Sequence, residues 1–305
     1  MKILLIGASG LLGSAFAQAA KRRRHELIGI VGGFAGPIDG LDRRISIDLA
    51  DLPELERTAL ELFPDAIVNC AARSIPSECE ACPGETRVIN VDVPAKLALL
   101  SRHLFARYLH ISSDQVFDGT QAPYAVGSSM NPPSEYAKQK RDSERAVLEM
   151  ASEFATVIRA PLLNGNSLRG NRSIHELLFE AWSQGRQSPL FIDEIRQPCL
   201  ADNLAAAMVE LCERDDLRGL AHWGGEEALS RYAIGKAILD RFGLPLDLIR
   251  EVRRGGDPIF SNRQANLSLD LQPLAGALKT RPQAFSDQLE ALIVPPAFRD
   301  WYHGL

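Results

Sequence analysis

Tyr136-Ala137-Lys138-Gln139-Lys140 carries a phenol and an ammonium four residues apart, so a helix through them sets both on one face. A free phenol titrates near ~10, too high for an effective base at neutrality. A cation beside it favours the phenolate and brings the group toward the working pH. Ile111-Ser112-Ser113-Asp114 adds a hydroxyl at Ser113 that can hydrogen-bond a carbonyl and polarise it. Ser113, Tyr136 and Lys140 together suit carbonyl reduction, with hydride from a nicotinamide and the proton from Tyr136.

A nicotinamide needs a dinucleotide site, and the first residues offer one. Gly7-Ala8-Ser9-Gly10-Leu11-Leu12-Gly13 is G-x-x-G-x-x-G between an apolar run and a helical pattern. Glycine there lets the backbone turn tightly and approach a pyrophosphate, whose charge the helix N-terminus favours. Gly7, Ser9, Gly10, Leu11, Leu12 and Gly13 are the expected cofactor contacts. Asp48-Leu49 closes a third strand, where the carboxylate can accept a hydrogen bond from adenine or serve as a turn or helix cap. Asn69-Cys70-Ala71-Ala72 closes a fourth, and Cys70, Ala71 and Ala72 leave room for the cofactor. The second strand ends Val31-Gly32-Gly33, without the carboxylate that would bind the ribose of NAD and repel a 2′-phosphate. NADP(H) is therefore favoured and NAD(H) stays open, although no obvious arginine takes the carboxylate's place. Lys21 to Arg24 reads as a basic helix end that complements the dipole.

These groups need a scaffold that brings strand ends together. Lys2 to Ile6, Leu27 to Val31, Arg44 to Ile47, Ala66 to Cys70, Tyr108 to Ser112 and Thr156 to Arg159 read as strands. Helical patterns fall between them: Leu11 to Ala20, Leu52 to Phe63, Val91 to Phe105 with Pro94 near its start, and Tyr136 to Met150. Alternating β and α predicts an α/β fold with a doubly wound parallel sheet of the Rossmann type over residues 1–160. After Pro161 the rhythm loosens. Helices are predicted over Ile174 to Trp182, Leu204 to Cys212 and Tyr232 to Phe242 (Ser230 as N-cap), with a last short one carrying Phe285, Leu289, Leu292 and Ile293. Pro189 to Ile192 and Ala221 to Trp223 read as strands. Residues 161–305 thus form a smaller mixed α/β substrate lobe, with some elements returning to the main sheet.

Composition sets the limits. The chain has 305 residues, 46% of them hydrophobic, enough for a large core. A formal net charge of −5 argues against nucleic acid or an anionic membrane as partner. No apolar run is long enough to span a bilayer. The basic, apolar start imitates a signal peptide, but the glycines of residues 7–13 interrupt it and Lys21-Arg22-Arg23-Arg24 ends it, so a cytoplasmic location is expected. Five cysteines imply no disulfide framework. Cys79-Glu80-Ala81-Cys82 has redox or metal spacing, yet Pro83-Gly84 marks a loop and no histidine partner is near, so no metal site is expected. His110 and His222 read as packed histidines, and Trp182, Trp223 and Trp301 as core.

The chain resembles the extended short-chain dehydrogenase/reductases, and among them the dTDP-4-dehydrorhamnose reductase family. The likeness rests on Gly7 to Gly13, Asn69 to Ala72, Ile111 to Gly119, Tyr136 to Glu144, Val157 to Pro161, and Ala221-His222-Trp223 with Ser230-Arg231-Tyr232. It implies a catalytic hydroxyl at Ser113, the catalytic Tyr136 and Lys140, and a nucleotide-sugar substrate between two lobes, touching Ser113, Asp114, Gln115 and Arg196. Gln115 stands where that family usually has tyrosine, Val126 to Met130 replaces an acidic stretch, and Asp193 to Cys199 departs from the usual substrate segment. Arg196 could hold a diphosphate or form a surface salt bridge. The chain is also similar to the regulatory β subunit of methionine adenosyltransferase, especially at His222-Trp223-Gly224. Expected activities are therefore reduction of a 4-keto-6-deoxy nucleotide sugar, a cofactor-binding regulatory role, or epimerase or dehydratase chemistry on tightly held NAD. The expected partners are a nucleotide sugar and either a homodimeric copy or a partner enzyme.

Overall fold

The computed structural model describes residues 1–256 and 263–304. In β1 (Lys2–Ile6), Ile3 and Leu5 enter the core on one face of the sheet, Leu4 and Ile6 the core on the other. A strand covered on both faces has no polar side, which is why it reads as an unbroken apolar run. Then follow α1 (Leu11–Arg22), β2 (Glu26–Val31), β3 (Arg43–Ser46), α2 (Leu52–Leu62) and β4 (Ala66–Asn69). Asp51 caps α2, accepting from Glu54 N at 3.0 Å.

The next stretch departs from expectation. Instead of a loop, residues 76–87 form α3 (Pro76–Ala81) and α4 (Pro83–Arg87), because each proline occupies a first-turn position where its missing N–H costs nothing. Cys79 is buried, Cys82 is exposed, and both are free thiols. A single π-helical turn, Val88–Asp92, leads into α5 (Val93–Leu104). That widened turn lets Pro94 sit inside an otherwise continuous helical run. β5 (Arg107–Ser113), α6 (Glu135–Ala151) and β6 (Ala155–Ala160) complete the alternation.

Beyond Pro161 the elements shorten: β7 (Leu163–Asn164), α7 (Ile174–Ser183), β8 (Ser188–Phe191), β9 (Ile195–Arg196), β10 (Cys199–Leu200), α8 (Ala201–Cys212), β11 (Gly219–His222), β12 (Leu229–Ser230), α9 (Arg231–Phe242), β13 (Ile249–Val252), α10 (Leu274–Ala277), α11 (Phe285–Glu290) and α12 (Arg299–His303). Ser230 caps α9 as expected, accepting from Ala233 N at 3.0 Å. α11 stops before Leu292, which still enters the lobe's core, while Ile293 is exposed.

The main sheet has seven strands in the order β11-β6-β5-β4-β1-β2-β3, all parallel. α1 and α8 cover one face and α2, α5 and α6 the other. The lobe has its own core, built by Phe179, Trp182, Ile234, Ile238 and Phe242. β11 is the returning strand, its Ala221 in register with Ile158. Trp182 and Trp223 are buried core, and Trp301 packs half-buried against the lobe core. His110 lies between Asn69 and Ser143 at 3.3 and 3.0 Å, and His222 between Arg159 and the Asp270 carbonyl, so both are packed groups with polar partners. Among the described residues no helix is long and apolar enough to cross a membrane, and no cluster of metal-ligating side chains occurs.

Candidate functional site

Parallel strands deliver their C-terminal ends to one edge of the sheet, and there a cleft of about 1260 Å³ opens between sheet and lobe. Gly7 leaves β1 at φ +79°, with its N–H and that of Ala8 donating to Ile30 O at 3.1 Å each. A Cβ on Gly7 would lie 2.8 Å from Ala71 N, so only glycine fits this turn. Gly10 caps α1 without a side-chain hydrogen bond, and the first turn of the helix has no acidic residue. That leaves first-turn N–H groups directed at the cleft, which suits the pyrophosphate of a dinucleotide.

Gly7, Ser9, Gly10, Leu11, Leu12, Asp48, Leu49, Cys70, Ala71 and Ala72 all line this cleft. Gly13 does not. A Cβ there would stand 2.2 Å from Gly7 O, so Gly13 serves close packing of α1 beneath the turn rather than cofactor contact. Asp48 faces the cleft while its Oδ1 accepts from Ala50 N at 3.0 Å, so the turn-capping role is realised at a lining position. The basic end of α1 points elsewhere: Lys21 pairs with Asp42 at 2.8 Å, and Arg23 with Glu213.

β5 ends at Ser113, which caps a short turn by accepting from Gln115 N at 3.2 Å and donates to Asp114 Oδ1 at 3.1 Å. Ser134 caps α6, accepting from Ala137 N at 3.2 Å, and so fixes Tyr136 in the first turn with Lys140 one turn on. Ser113, Tyr136 and Lys140 are all buried and all line the cleft. Burial pushes the Tyr136 phenol well above its usual range, Asp114 adds to this, and a hydrogen bond with Ser113 opposes it. The phenol is thus held in its protonated, proton-donating form. Lys140 Nζ donates to Ile111 O at 2.8 Å, and burial pulls the ammonium down to about 8 against the pull of Glu144. In this state one donor of the ammonium is engaged at the strand carbonyl, and among the described residues no hydrogen bond joins Lys140 to Tyr136.

Asp114 is buried, and its Oδ2 has no hydrogen-bond partner among the described residues. Burial pushes this carboxyl up to about 6, with Arg196 pulling the other way. Arg196 is no surface salt bridge: only 11% of its side chain is exposed, 3.1 Å from the nearly inaccessible Glu194. Arg263 reaches the same carboxylate at 2.8 Å and Arg231 at 4.0 Å. Burial draws Arg231 down to about 10. All four residues line the same cleft as Ser113, a knot of three guanidiniums on one carboxylate that favours an anionic ligand. Glu194 was legible only as part of the substrate segment Asp193 to Cys199, Arg231 only within the Ser230-Arg231-Tyr232 likeness, and Arg263 carried no signal.

The cleft thus joins a dinucleotide turn, a hydroxyl–phenol–ammonium set and a basic wall. Among known proteins, residues 1–296 match the family described as RmlD substrate binding domain. The chain belongs to that family. Among relatives, the methionine adenosyltransferase 2 subunit beta of Xenopus laevis is 31% identical over 257 residues, covering 82% of this chain and 75% of that one. A probable low-salt glycan biosynthesis reductase of Haloferax volcanii, Agl14, is 27% identical and covers 99% of both chains. A hypothetical dTDP-4-dehydrorhamnose reductase from Sulfolobus tokodaii superposes with a TM-score of 0.82 at 27% identity, covering 96% of this chain and 100% of the other. An NADP complex of dTDP-4-dehydrorhamnose reductase from Bacillus anthracis has the same fold, at TM-score 0.80 and 18% identity over 95% of this chain and 97% of that one.

Proposed function

We propose that this RmlD-family chain is an NAD(P)H-dependent reductase of a 4-keto-6-deoxy nucleotide sugar. The observation that carries this reading is the meeting of Ser113, Tyr136 and Lys140 in the same cleft that Arg196, Arg231 and Arg263 line. The residues around the α1 N-terminus fit a nicotinamide dinucleotide, which when bound would supply hydride to the carbonyl carbon. Ser113 Oγ turns from Asp114 to the carbonyl oxygen and polarises it. Tyr136 then gives its proton to that oxygen, a role suited to a phenol kept protonated. Lys140 holds the ammonium beside the reacting end, and the basic wall takes the diphosphate.

The test is loss of NADPH absorbance with a panel of 4-keto-6-deoxy nucleotide sugars. Turnover is expected with the wild type, and Tyr136→Phe should lower it by about 10²-fold or more while NADPH still binds. Full activity in that variant would remove Tyr136 from the mechanism.

A second reading draws on the methionine adenosyltransferase β subunits, 31% identical over most of this chain. There the cleft would bind cofactor to set the affinity for a partner enzyme. Inactivity across the sugar panel, together with a complex with methionine adenosyltransferase whose strength depends on NADP, would favour it.

A further inference from the structure

The end of β2 lacks a carboxylate, and no nearby residue in sequence supplies a cation for an adenosine 2′-phosphate. The fold supplies one from the opposite wall. Arg169, in the loop between β7 and α7, places its guanidinium carbon 5.3 Å from the centre of the Phe34 ring, just past the end of β2. Both residues line the same cleft as Gly32, Gly33 and Ser46. A Cβ on Gly32 or Gly33 would meet nothing within 4 Å, so the space around this glycine turn is open. Asp48 shares this end, but its carboxylate is turned to Ala50 N.

The two sides of this contact are held by structure rather than by chance. Glu176 gathers the loop, its carboxylate accepting from Ser167 N at 2.6 Å, Ser167 Oγ at 2.7 Å, Arg172 N at 2.7 Å and Ser173 N at 3.0 Å. Gly170 N donates to Ser167 O at 3.1 Å, which sets Arg169 at the tip of a turn. The base of the loop is seated against the dinucleotide helix, since a Cβ on Gly165 would stand 3.1 Å from Leu11 Cδ1. Opposite, Arg44 donates to Ala35 O at 3.0 Å and Gly36 O at 2.9 Å, fixing the segment that carries Phe34. Arg169 itself is exposed and pairs with no carboxylate among the described residues, so its charge is available to a ligand.

We propose that Arg169 reads the 2′-phosphate of NADP from across the cleft, resting on Phe34 until the phosphate enters between the guanidinium and the Gly32-Gly33 turn. The proposal depends on the cleft binding a nicotinamide dinucleotide, as argued above. An arginine fork suits a phosphate, and charge-assisted hydrogen bonds to it are stronger than neutral ones. NADH, with a bare 2′-hydroxyl, would gain little from it.

Calorimetric titration of the full chain with NADPH, NADH, adenosine 2′,5′-bisphosphate and AMP tests this, with thermal unfolding as the folding control. Wild type should prefer NADPH over NADH and the bisphosphate over AMP. Arg169→Ala should weaken NADPH and the bisphosphate by about tenfold or more, and NADH and AMP by no more than about threefold. Arg169→Lys should fall between the two, keeping charge but losing the fork. A wild type that binds neither dinucleotide would overturn the cofactor reading and this proposal with it. Equal losses for phosphorylated and unphosphorylated ligands, or none, would overturn this proposal alone.

Discussion

Glu144 and Arg159 are locked together at the back of the site: Arg159 Nε donates to both carboxylate oxygens at 3.0 and 3.2 Å, and Nη2 to one at 2.7 Å. Their side chains are 2% and 1% exposed. Ser112 also donates to Glu144, and Arg159 goes on to Val126 O, His222 and the Phe117 ring. The pair therefore ties the helix bearing Tyr136 and Lys140 to three neighbouring segments. Arg159→Met should cost about 3–5 kcal/mol, because it strands a buried carboxylate. The double variant Glu144→Gln/Arg159→Met should cost less than the sum of the singles in urea unfolding. Additive losses would mean the two groups act apart.

Lys140 makes cofactor binding depend on pH. Its ammonium, held down at about 8, is charged below that value and is lost as pH rises through it. If the charged form holds the ribose hydroxyls, NADPH affinity should be highest below pH 8 and fall several-fold above it. Lys140→Met should bind weakly and show no such step in fluorescence titrations. A wild-type curve flat across this range would separate Lys140 from the cofactor.

Asp114 sets a stability dependence of opposite chemistry. Its folded value of about 6 lies above the ordinary 3.8, so the fold binds the proton more tightly than the unfolded chain does. The ionised group's penalty is full above pH 6, shrinks as pH falls, and is gone below the unfolded value. Asp114→Asn should therefore stabilise the protein by about 1–3 kcal/mol at pH 8 and by little at pH 4. Thermal unfolding at the two pH values reads the difference, and an equal gain at both would point to packing instead.

The glycines of the first turn separate packing from binding. Gly13→Ala should lower the melting temperature, since its methyl would meet Gly7 O at 2.2 Å. A bulky residue at Gly10, where a Cβ meets only Gly7 O at 3.3 Å, should spare the fold and weaken NADPH and NADH together. Calorimetry and unfolding on both variants check the division.

Sequence made the Rossmann half legible because its strands, the exposed β3 apart, are buried on both faces and its helices carry one apolar stripe. β1 and β4 needed only runs of apolar residues, and α9 announced itself through Ser230. The lobe was opaque for physical reasons. β7, β9, β10 and β12 have two residues each, too few to display a period. Pro83 reads as a loop signal but opens a helix, since proline is as welcome in a first turn as in a bend. Ser113, Tyr136 and Lys140 were visible through spacing and strand ends. The arginines 169, 196, 231 and 263 come from separate loops, a strand and a helix start, and only the tertiary fold shows that they share one cleft.

β11 gives the molecule a particular evolutionary grammar. The chain leaves the sheet after β6 and returns at Gly219 to lay down the edge strand beside it. Severing the chain after Ala160 would uncover β6, buried along its whole length, as a bare edge open to pairing with other copies. The ligand-facing half is thus no detachable cassette. A recombination that swaps it wholesale at one junction would take a piece of the sheet with it, so new specificities should arise by editing loops such as the one bearing Arg169.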